Sequence, residues 1–423
     1  IFTTTNIATD HNQLIMDCLK KIALRHNLVC LLHEKPFAGV NGSGKHNNWS
    51  LSTNEGVNLL EPGKTPHENA QFLTFLCAVI KAVDDYAELL RVSAANPGND
   101  HRLGANEAPP AIISMFLGDQ LTDIVNQIEN GGATSTLGIS SLEIGVSTLP
   151  NIPKDNSDRN RTSPFAFTGN KFEFRMFPSS ASIACPNMIL NTIVAEIIDQ
   201  IATKLEKASD FNKELQNTLQ KIIKDHKRII FNGNNYSEEW LIEAKKRGLP
   251  NISSMVESLP HYISEKSLKV FEKHHVLSND EVHSRYEILL EQYSKVINIE
   301  AKTMIDLANR NILPATTKYA SNLAQSIQNI KAVSSSIETG AQEDILNEIS
   351  SNLNSLRKNA IALENKLKSA SEYEDDSYKL GVYYRDTIFP TMNDLRINGD
   401  KLETLVDAAL WPLPTYAEML FLI

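Results

Sequence analysis

The spacing of apolar residues divides the chain into two halves of different character. In the first 195 residues or so, short apolar runs alternate with loops of Gly, Pro and Asn and with a few helical stretches. In residues 9–25 and 65–91, apolar positions recur at intervals of three and four, which predicts helices. Residues 94–110 are rich in Pro, Gly and Asn, which predicts a loop. Residues 28–32 are continuously apolar, which predicts a buried strand, and residues 171–175 alternate, which predicts a strand with one polar face.

The second half is helical almost throughout. Apolar residues recur at helical intervals in four blocks, at residues 197–223, 281–309, 323–337 and 345–367, with a break at Gly340. Amphipathic helices of this length bury their apolar stripes against one another, so we expect helical hairpins. Their polar faces carry no site-like cluster. We therefore expect residues 200–370 to lie outside any catalytic cleft.

Composition excludes several classes of function. The chain has 423 residues, enough for two or three domains, and a formal net charge of -10. No basic stripe is available for phosphates, which argues against a nucleic-acid partner. The apolar runs are far shorter than the roughly 20 residues of a membrane span.

Four dispersed cysteines without a CxxC pair indicate reduced thiols and a cytoplasmic protein. Because Ile1 leads almost directly into a helix, we expect residues upstream of it.

The most informative motif is residues 33–51, HEKPFAGVNGSGKHNNWSL. Its glycines allow backbone amides to approach a substrate closely, and the imidazole that follows can bind a divalent metal. A lone histidine is more often an ordinary core or surface residue, so the whole motif carries the interpretation. It resembles the N-G-S-G-x-H loop of glutamine synthetases, in the long form of the type III branch.

This resemblance implies a fold and a reaction. The expected fold is α+β: a glutamine synthetase-like catalytic half-barrel, made of an antiparallel sheet with helices, followed by a long-helix region. Residues 1–195 would be the catalytic core without its N-terminal part, residues 196–375 the helical region of the type III branch, and residues 376–423 a segment packing back on the core. The expected reaction joins L-glutamate and ammonia, with ATP and Mg²⁺ or Mn²⁺, through γ-glutamyl phosphate. The expected assembly is a large homo-oligomer of stacked rings.

The resemblance also assigns roles within the first motif. It implies that His46 is a metal ligand and that Asn41 and Gly42 contact the glutamate substrate. Ser50 matches a serine that contacts the nucleotide.

A second motif, residues 102–110, resembles the family's R-x-G-x-x-E-A-P flap. Taken alone, a Pro- and Gly-rich segment of this kind would be a solvated loop. The resemblance implies that Arg102 binds the substrate carboxylate region. It implies that Glu107 closes the site and takes a proton from ammonium.

Two further motifs carry charge. Residues 158–164 resemble the R-N-R-x-S segment, in which Arg161 would contact the nucleotide and stabilise the transferring phosphoryl group, supported by Arg159. In residues 171–175, Glu173 would be a metal ligand and Arg175 would face the γ-glutamyl phosphate and the substrate. Lys171 replaces an arginine that contacts the nucleotide. By pattern alone, this strand could equally be an edge strand with a solvated face.

Other readings stay open at this point. Family members take further glutamate metal ligands from upstream of the Gly-rich loop, so this chain supplies about one metal site's worth of ligands. A γ-glutamyl-amine synthetase, a guanidino kinase on the same half-barrel or a non-catalytic helical interaction protein would be the alternatives. His274, His275 and His283 have no metal-site spacing and are interpreted as surface helix residues.

Overall fold

The computed structural model describes residues 3–133, 135–136, 141–142, 152–153 and 160–422. The chain forms two compact units. One comprises Ile1–His26 and Cys30–His283, and the other comprises Asn27–Val29 and Ser284–Ile423. The expected domain division at residues 195 and 375, with a C-terminal segment packed on the core, stays a prediction.

The first unit contains a four-stranded sheet. The strands of the first unit are β1 (Gly44–Trp49), β2 (Met115–Phe116), β3 (Ser141–Leu142), β4 (Ile152–Pro153), β5 (Phe165–Phe167) and β6 (Phe172–Pro178). The four-stranded sheet has the order β1-β6-β5-β2, and β3 and β4 pair separately. Because β2 runs parallel to β5, the sheet is mixed and not purely antiparallel as expected. The α+β class is confirmed.

The pairing of β1 with β6 positions the polar face of the sheet. The antiparallel register places Asn48 opposite Glu173 and shifts between Lys45 and Asn47, at His46. Such a register shift changes the direction of a nearby side chain relative to the sheet, here that of His46. Phe172 and Phe174 are fully buried, as the alternation in residues 171–175 predicted, and Met176 continues the pattern. The intervening charged residues therefore share the opposite face.

In the described part of the first unit, ten α-helices begin before residue 274. They are α1 (Thr5–Arg25), α2 (Ala70–Asp85), α3 (Ala87–Val92), α4 (Pro97–Arg102), α5 (Gly118–Glu129), α6 (Ala184–Leu205), α7 (Phe211–His226), α8 (Glu238–Lys246), α9 (Met255–Ser258) and α10 (Glu265–Lys273). Helix α1 confirms the prediction for residues 9–25. The apolar face of α2 forms much of the core and packs on α6 and α7.

Three local predictions are wrong. Residues 65–91 form not one helix but a 3-10 turn, α2 and α3. Asn69 caps the start of α2 by accepting a 3.0 Å hydrogen bond from the Phe72 N–H, and the non-helical backbone of Tyr86 separates α2 from α3. Residues 94–110 are not all loop, since α4 begins there with Pro97 in its first turn. Residues 28–32 are not a strand. Within residues 28–32, only Leu28 forms a β-bridge with another described residue, Phe421, and a strand needs backbone partners along its length.

The second unit is helical. Its described α-helices are α11 (Asn279–Leu307), whose first residues belong to the first unit, α12 (Leu313–Val333), α13 (Gly340–Ser369), α14 (Ser377–Tyr383) and α15 (Phe389–Glu403). A π-helical turn precedes α12 and another precedes α15, each just before a proline, Pro314 and Pro390. Proline disrupts the helical hydrogen bonds behind it, which accounts for both turns.

The later helical blocks are confirmed except at the end of the third, where α12 ends at Val333 and leaves Ile337 outside the helix; α13 begins at Gly340, where the break was predicted. The first block is two helices, α6 and α7, because Asp210 accepts a hydrogen bond from the Lys213 N–H and begins a new helix. None of the described helices is long and apolar enough to cross a membrane.

Candidate active site

His46 and Glu173 face each other across β1 and β6. His46 Nδ1 lies 2.9 Å from Glu173 Oε1. The other carboxylate oxygen, Oε2, accepts hydrogen bonds from Arg175 Nη2 at 2.7 Å and Nε at 2.9 Å. The contact with His46 lowers the pKa of Glu173 to about 2; burial opposes this shift and Arg175 reinforces it. Glu173 is therefore an ionised carboxylate at any ordinary pH.

This pair fits one side of a divalent-metal site. Imidazole nitrogen and carboxylate oxygen both bind such cations, at about 2.0–2.2 Å, so one ion can reach two donor atoms 2.9 Å apart. The His46 side chain is 57% exposed, which leaves space for an ion. No group of three or more His, Cys, Asp or Glu residues that could hold a metal occurs among the described residues. Further ligands would have to come from water, substrate or other parts of the protein.

Arg175 links the sheet to the third motif. Its buried guanidinium donates from Nη1 to the carbonyl oxygens of Asn160, at 2.6 Å, and Ser163, at 3.4 Å. A direct contact with a phosphoryl group would require Arg175 to exchange one of these partners. Arg161, between them, is exposed, and no described residue is paired with it. Arg161 is thus the more accessible cation, while Arg159 lies outside the described residues.

Arg102 lies beneath the Gly-rich loop. Its guanidinium is buried and donates to Asn99 Oδ1 at 3.0 Å and to the Arg175 carbonyl oxygen at 3.2 Å. A Cβ added to Gly42 would lie 2.6 Å from the Glu34 carbonyl oxygen, and one added to Gly44 would collide with the guanidinium. The glycines are therefore required for close packing on Arg102. The binding of substrate by Arg102 and Gly42 stays a prediction.

The flap meets the Gly-rich loop through Glu107. Asn41 Nδ2 donates a 2.7 Å hydrogen bond to Glu107 Oε2, and Lys35 Nζ lies 3.3 Å from Asn106 Oδ1. Glu107 has a left-handed backbone conformation, with φ at 48°, which is uncommon for a residue with a side chain. An exposed carboxylate is thereby held at a strained turn, a combination that is frequent at functional sites.

Two cavities lie at this site. The flap cavity, of about 520 Å³, is lined by Glu107 and by Tyr236 from a later turn. The strand cavity, of about 860 Å³, is lined by His46 and Ser50. Ser50 donates to Asn58 Oδ1 at 2.7 Å. Lys171 directly precedes β6, next to Asn170 of the strand cavity.

Several residues at the site were not identified from the sequence. Tyr236 and Asn235 lie within residues 200–370, so the expectation that this whole region lies outside the cleft is wrong for this turn. The dense run of turn residues at 232–237, NGNNYS, was the available signal. Glu34, inside the first motif, is a buried carboxylate that accepts hydrogen bonds from the Ser180 N–H and hydroxyl at 2.9 and 2.6 Å.

Two family models match the chain. Residues 2–113 match the glutamine synthetase catalytic domain, and residues 214–331 match the glutamine synthetase C-terminal domain. Over its whole length the chain is 46% identical to a type-3 glutamine synthetase of Dictyostelium discoideum. The chain belongs to the glutamine synthetase family. The resemblance drawn from the four motifs is confirmed.

Bacterial relatives are nearly as similar. The chain is 43% identical to a glutamine synthetase of Butyrivibrio fibrisolvens and 40% identical to one of Bacteroides fragilis, each over its full length. It spans 58–60% of the length of these three relatives. The 232–237 turn falls within the C-terminal glutamine synthetase domain.

Proposed function

We propose that the protein containing this chain ligates ammonia to L-glutamate, with ATP converted to ADP and phosphate through γ-glutamyl phosphate. One observation carries the proposal: hydrogen bonds join all four sequence motifs at a single place. Asn41 bonds Glu107 and His46 contacts Glu173. Arg102 donates to the carbonyl oxygen of Arg175. Arg175 in turn donates to the carbonyl oxygen of Asn160.

The first half-reaction brings two anions together. The γ-carboxylate of glutamate must approach the γ-phosphate of ATP, and like charges repel unless cations neutralise them. Arg161 is exposed and can reach an anionic ligand, and a guanidinium fork matches phosphate oxygens. A divalent cation held by His46 and Glu173 would neutralise phosphate charge when bound. Ser50 and Lys171 are proposed to contact the nucleotide in the strand cavity.

The second half-reaction needs a base. Ammonium must lose a proton before its nitrogen can attack the acyl phosphate, and phosphate then leaves. Glu107 is proposed to accept this proton, with Asn41 holding one of its carboxylate oxygens. Because Glu107 bonds the flap to the Gly-rich loop, we propose that the flap closes over the site and shields the acyl phosphate from water.

Ammonia is favoured over another amine because the flap glutamate is present and the three relatives carry the name glutamine synthetase. A γ-glutamyl-amine synthetase is the second candidate. A purely non-catalytic helical protein would not need four mutually bonded motifs.

We also propose that the protein is cytoplasmic and forms a homo-oligomer of stacked rings, by analogy with the family.

The test uses the longest open reading frame that contains this chain. The purified protein is given L-glutamate, ATP and Mg²⁺ or Mn²⁺ with ammonium, methylamine or ethylamine, and the amide and phosphate are measured together. We expect glutamine and phosphate in equal amounts, with ammonium as the preferred amine. Preference for an alkylamine would identify the second candidate, and absence of any amide with every amine would refute both.

A further inference from the structure

The 232–237 turn is fixed at the site by asparagine side chains. Asn232 Oδ1 accepts hydrogen bonds from the backbone N–H groups of Leu117 and Gly118, at 3.1 and 3.2 Å. Its Nδ2 donates to Thr122 Oγ1 at 2.7 Å. The Asn232 side chain thus uses both its oxygen and its nitrogen, which anchors the start of the turn to β2 and α5.

The same turn is bonded to the motif that carries Arg161. Asn160 Nδ2 donates to the carbonyl oxygens of Asn232 and Gly233, at 3.0 and 2.7 Å. Thr162 Oγ1 accepts from the Asn235 N–H at 2.9 Å. Asn235 is buried, and its Oδ1 accepts from Ser114 Oγ at 2.7 Å. A turn with this many satisfied polar groups is a rigid platform.

Tyr236 is the side chain that this platform presents to the flap. It is 41% exposed and lines the flap cavity together with Glu107. Burial and the charge of Glu107 raise the pKa of Tyr236, while Arg102 and Arg175 act in the opposite direction. The phenol therefore stays protonated near neutral pH and is a hydrogen-bond donor.

We propose that Tyr236 is a positioning residue for Glu107, its hydroxyl donating to the flap carboxylate when the site is closed; this inference rests on the proposed ammonia ligation. Asn41 bonds Glu107 Oε2, and a carboxylate has a second oxygen that can accept from the phenol. Two donors, one to each oxygen, fix the plane of the carboxylate. The base is thereby oriented toward the ammonium proton.

The first test is kinetic, in the full-length protein. Tyr236→Phe keeps the ring and removes the hydroxyl. We expect kcat/KM for ammonium to fall roughly 10-fold, the loss expected for one hydrogen bond to a charged group, with KM for ATP unchanged. The deficit should shrink as pH rises, because solution then supplies more unprotonated ammonia and the base matters less. A merely structural role would lower turnover at every pH and for every substrate.

Tyr378→Phe is the matched control, since Tyr378 is similarly exposed, at 37%, and lies in the second unit. It should leave the kinetic constants unchanged. Unchanged kinetics for Tyr236→Phe in an active enzyme would overturn the inference and leave the proposed ligase intact. A wild-type protein that forms no amide would instead overturn the proposed function.

The second test does not depend on activity. Hydrogen–deuterium exchange of flap residues 103–110 is measured for the wild type, Tyr236→Phe and Tyr378→Phe with L-glutamate and a non-hydrolysable ATP analogue, so that the flap can close without turnover. We expect faster exchange of the flap in Tyr236→Phe alone, with an unchanged unfolding midpoint. Equal flap exchange in all three proteins would overturn the inference, whatever reaction the protein catalyses.

Discussion

The side-chain amide of Asn41 donates a 2.7 Å hydrogen bond to the carboxylate of Glu107, which lies 66 residues further along the chain. The bond joins the Gly-rich loop to the flap, at a residue whose backbone is left-handed. The Asn41 amide holds the Glu107 carboxylate, and the strained backbone of Glu107 fixes where the side chain begins, so the carboxylate is oriented before substrate arrives. This arrangement supports the proposed role of Glu107 as a base and makes that role testable.

Glu107→Ala in the full-length protein should cut glutamine formation by roughly 100-fold or more, the range for losing a general base. ATP affinity should stay near the wild-type value, because Glu107 lines the flap cavity whereas Ser50, a proposed nucleotide contact, lines the strand cavity. More ATP should be hydrolysed per glutamine, since an open flap admits water to the acyl phosphate. Phosphate release and glutamine formation are measured side by side.

Glu55→Ala, at an exposed turn, is the control for Glu107→Ala. Equal losses of ATP affinity and turnover would make Glu107 a structural residue.

Asn41→Ala should act in the same direction with a smaller effect. It removes one hydrogen bond to a charged group and leaves the base in place, so a loss of roughly 10-fold in turnover is expected. Combined with Glu107→Ala, it should add almost nothing, because both variants act on the same interaction. A fully additive double variant would show that Asn41 acts elsewhere.

The metal proposal predicts that His46→Ala and Glu173→Ala each weaken Mn²⁺ binding in the full-length protein. Mn²⁺ titration followed by electron paramagnetic resonance measures the affinity directly, without turnover. The expected loss is at least 10-fold for each, because each removes one of two neighbouring donors. His283→Ala removes an exposed histidine from α11 and serves as the control. Normal Mn²⁺ affinity in Glu173→Ala would refute the ligand assignment.

Local patterns predicted the parts of the site whose geometry is local. The alternation in residues 171–175 was sufficient to place Glu173 and Arg175 on one face of β6, because side chains in a strand alternate whatever the partner. The motif at residues 33–51 indicated His46 by resemblance. Neither pattern could show that His46 lies on a strand, because GKHNNW has little strand propensity and becomes β1 only by pairing with β6.

Contacts between distant segments could not be predicted in the same way. Nothing near Arg102 in sequence reveals that its guanidinium bonds the carbonyl oxygens of β6 beneath Gly42 and Gly44. The 232–237 turn was visible as turn chemistry, yet its return to the flap depends on partners such as Thr122 and Asn160, 110 and 72 residues away. The strand expected at residues 28–32 fails for the converse reason. Its composition is right, but the described residues offer partners only at its start.

The packing of Gly42 predicts a stability effect. Gly42→Ala places a Cβ 2.6 Å from the Glu34 carbonyl oxygen, a backbone atom already bonded by the Ser43 N–H at 2.7 Å. Because the backbone there cannot yield easily, overpacking should cost about 1–3 kcal/mol of unfolding free energy. Urea denaturation measures the loss. Gly340→Ala is the control, since no heavy atom lies within 4 Å of its added Cβ. Equal stability of the two variants would show that the loop can relax.

Glu196 predicts a pH-dependent contribution to stability. This carboxylate of α6 accepts hydrogen bonds from Lys273 at 2.7 Å and His274 at 2.8 Å. Burial acts to raise the pKa of Glu196, but the bonds from Lys273, Gln200 and His274 outweigh it and lower that pKa below 4.5. A group with a lowered folded-state pKa stabilises the protein above its unfolded-state value and loses that effect as pH falls through the folded pKa.

Glu196→Gln should therefore lower the unfolding free energy at pH 7, by about 1–2 kcal/mol for lost hydrogen bonds between charged groups. The difference from wild type should shrink below pH 4.5, because the wild-type carboxylate then begins to bind protons. Denaturation curves across this range provide the measurement. Glu265→Gln, in the exposed pair with Lys269, should change stability little at any pH. A difference that grew on acidification would mean that Glu196 is protonated more readily in the folded protein, contrary to its partners.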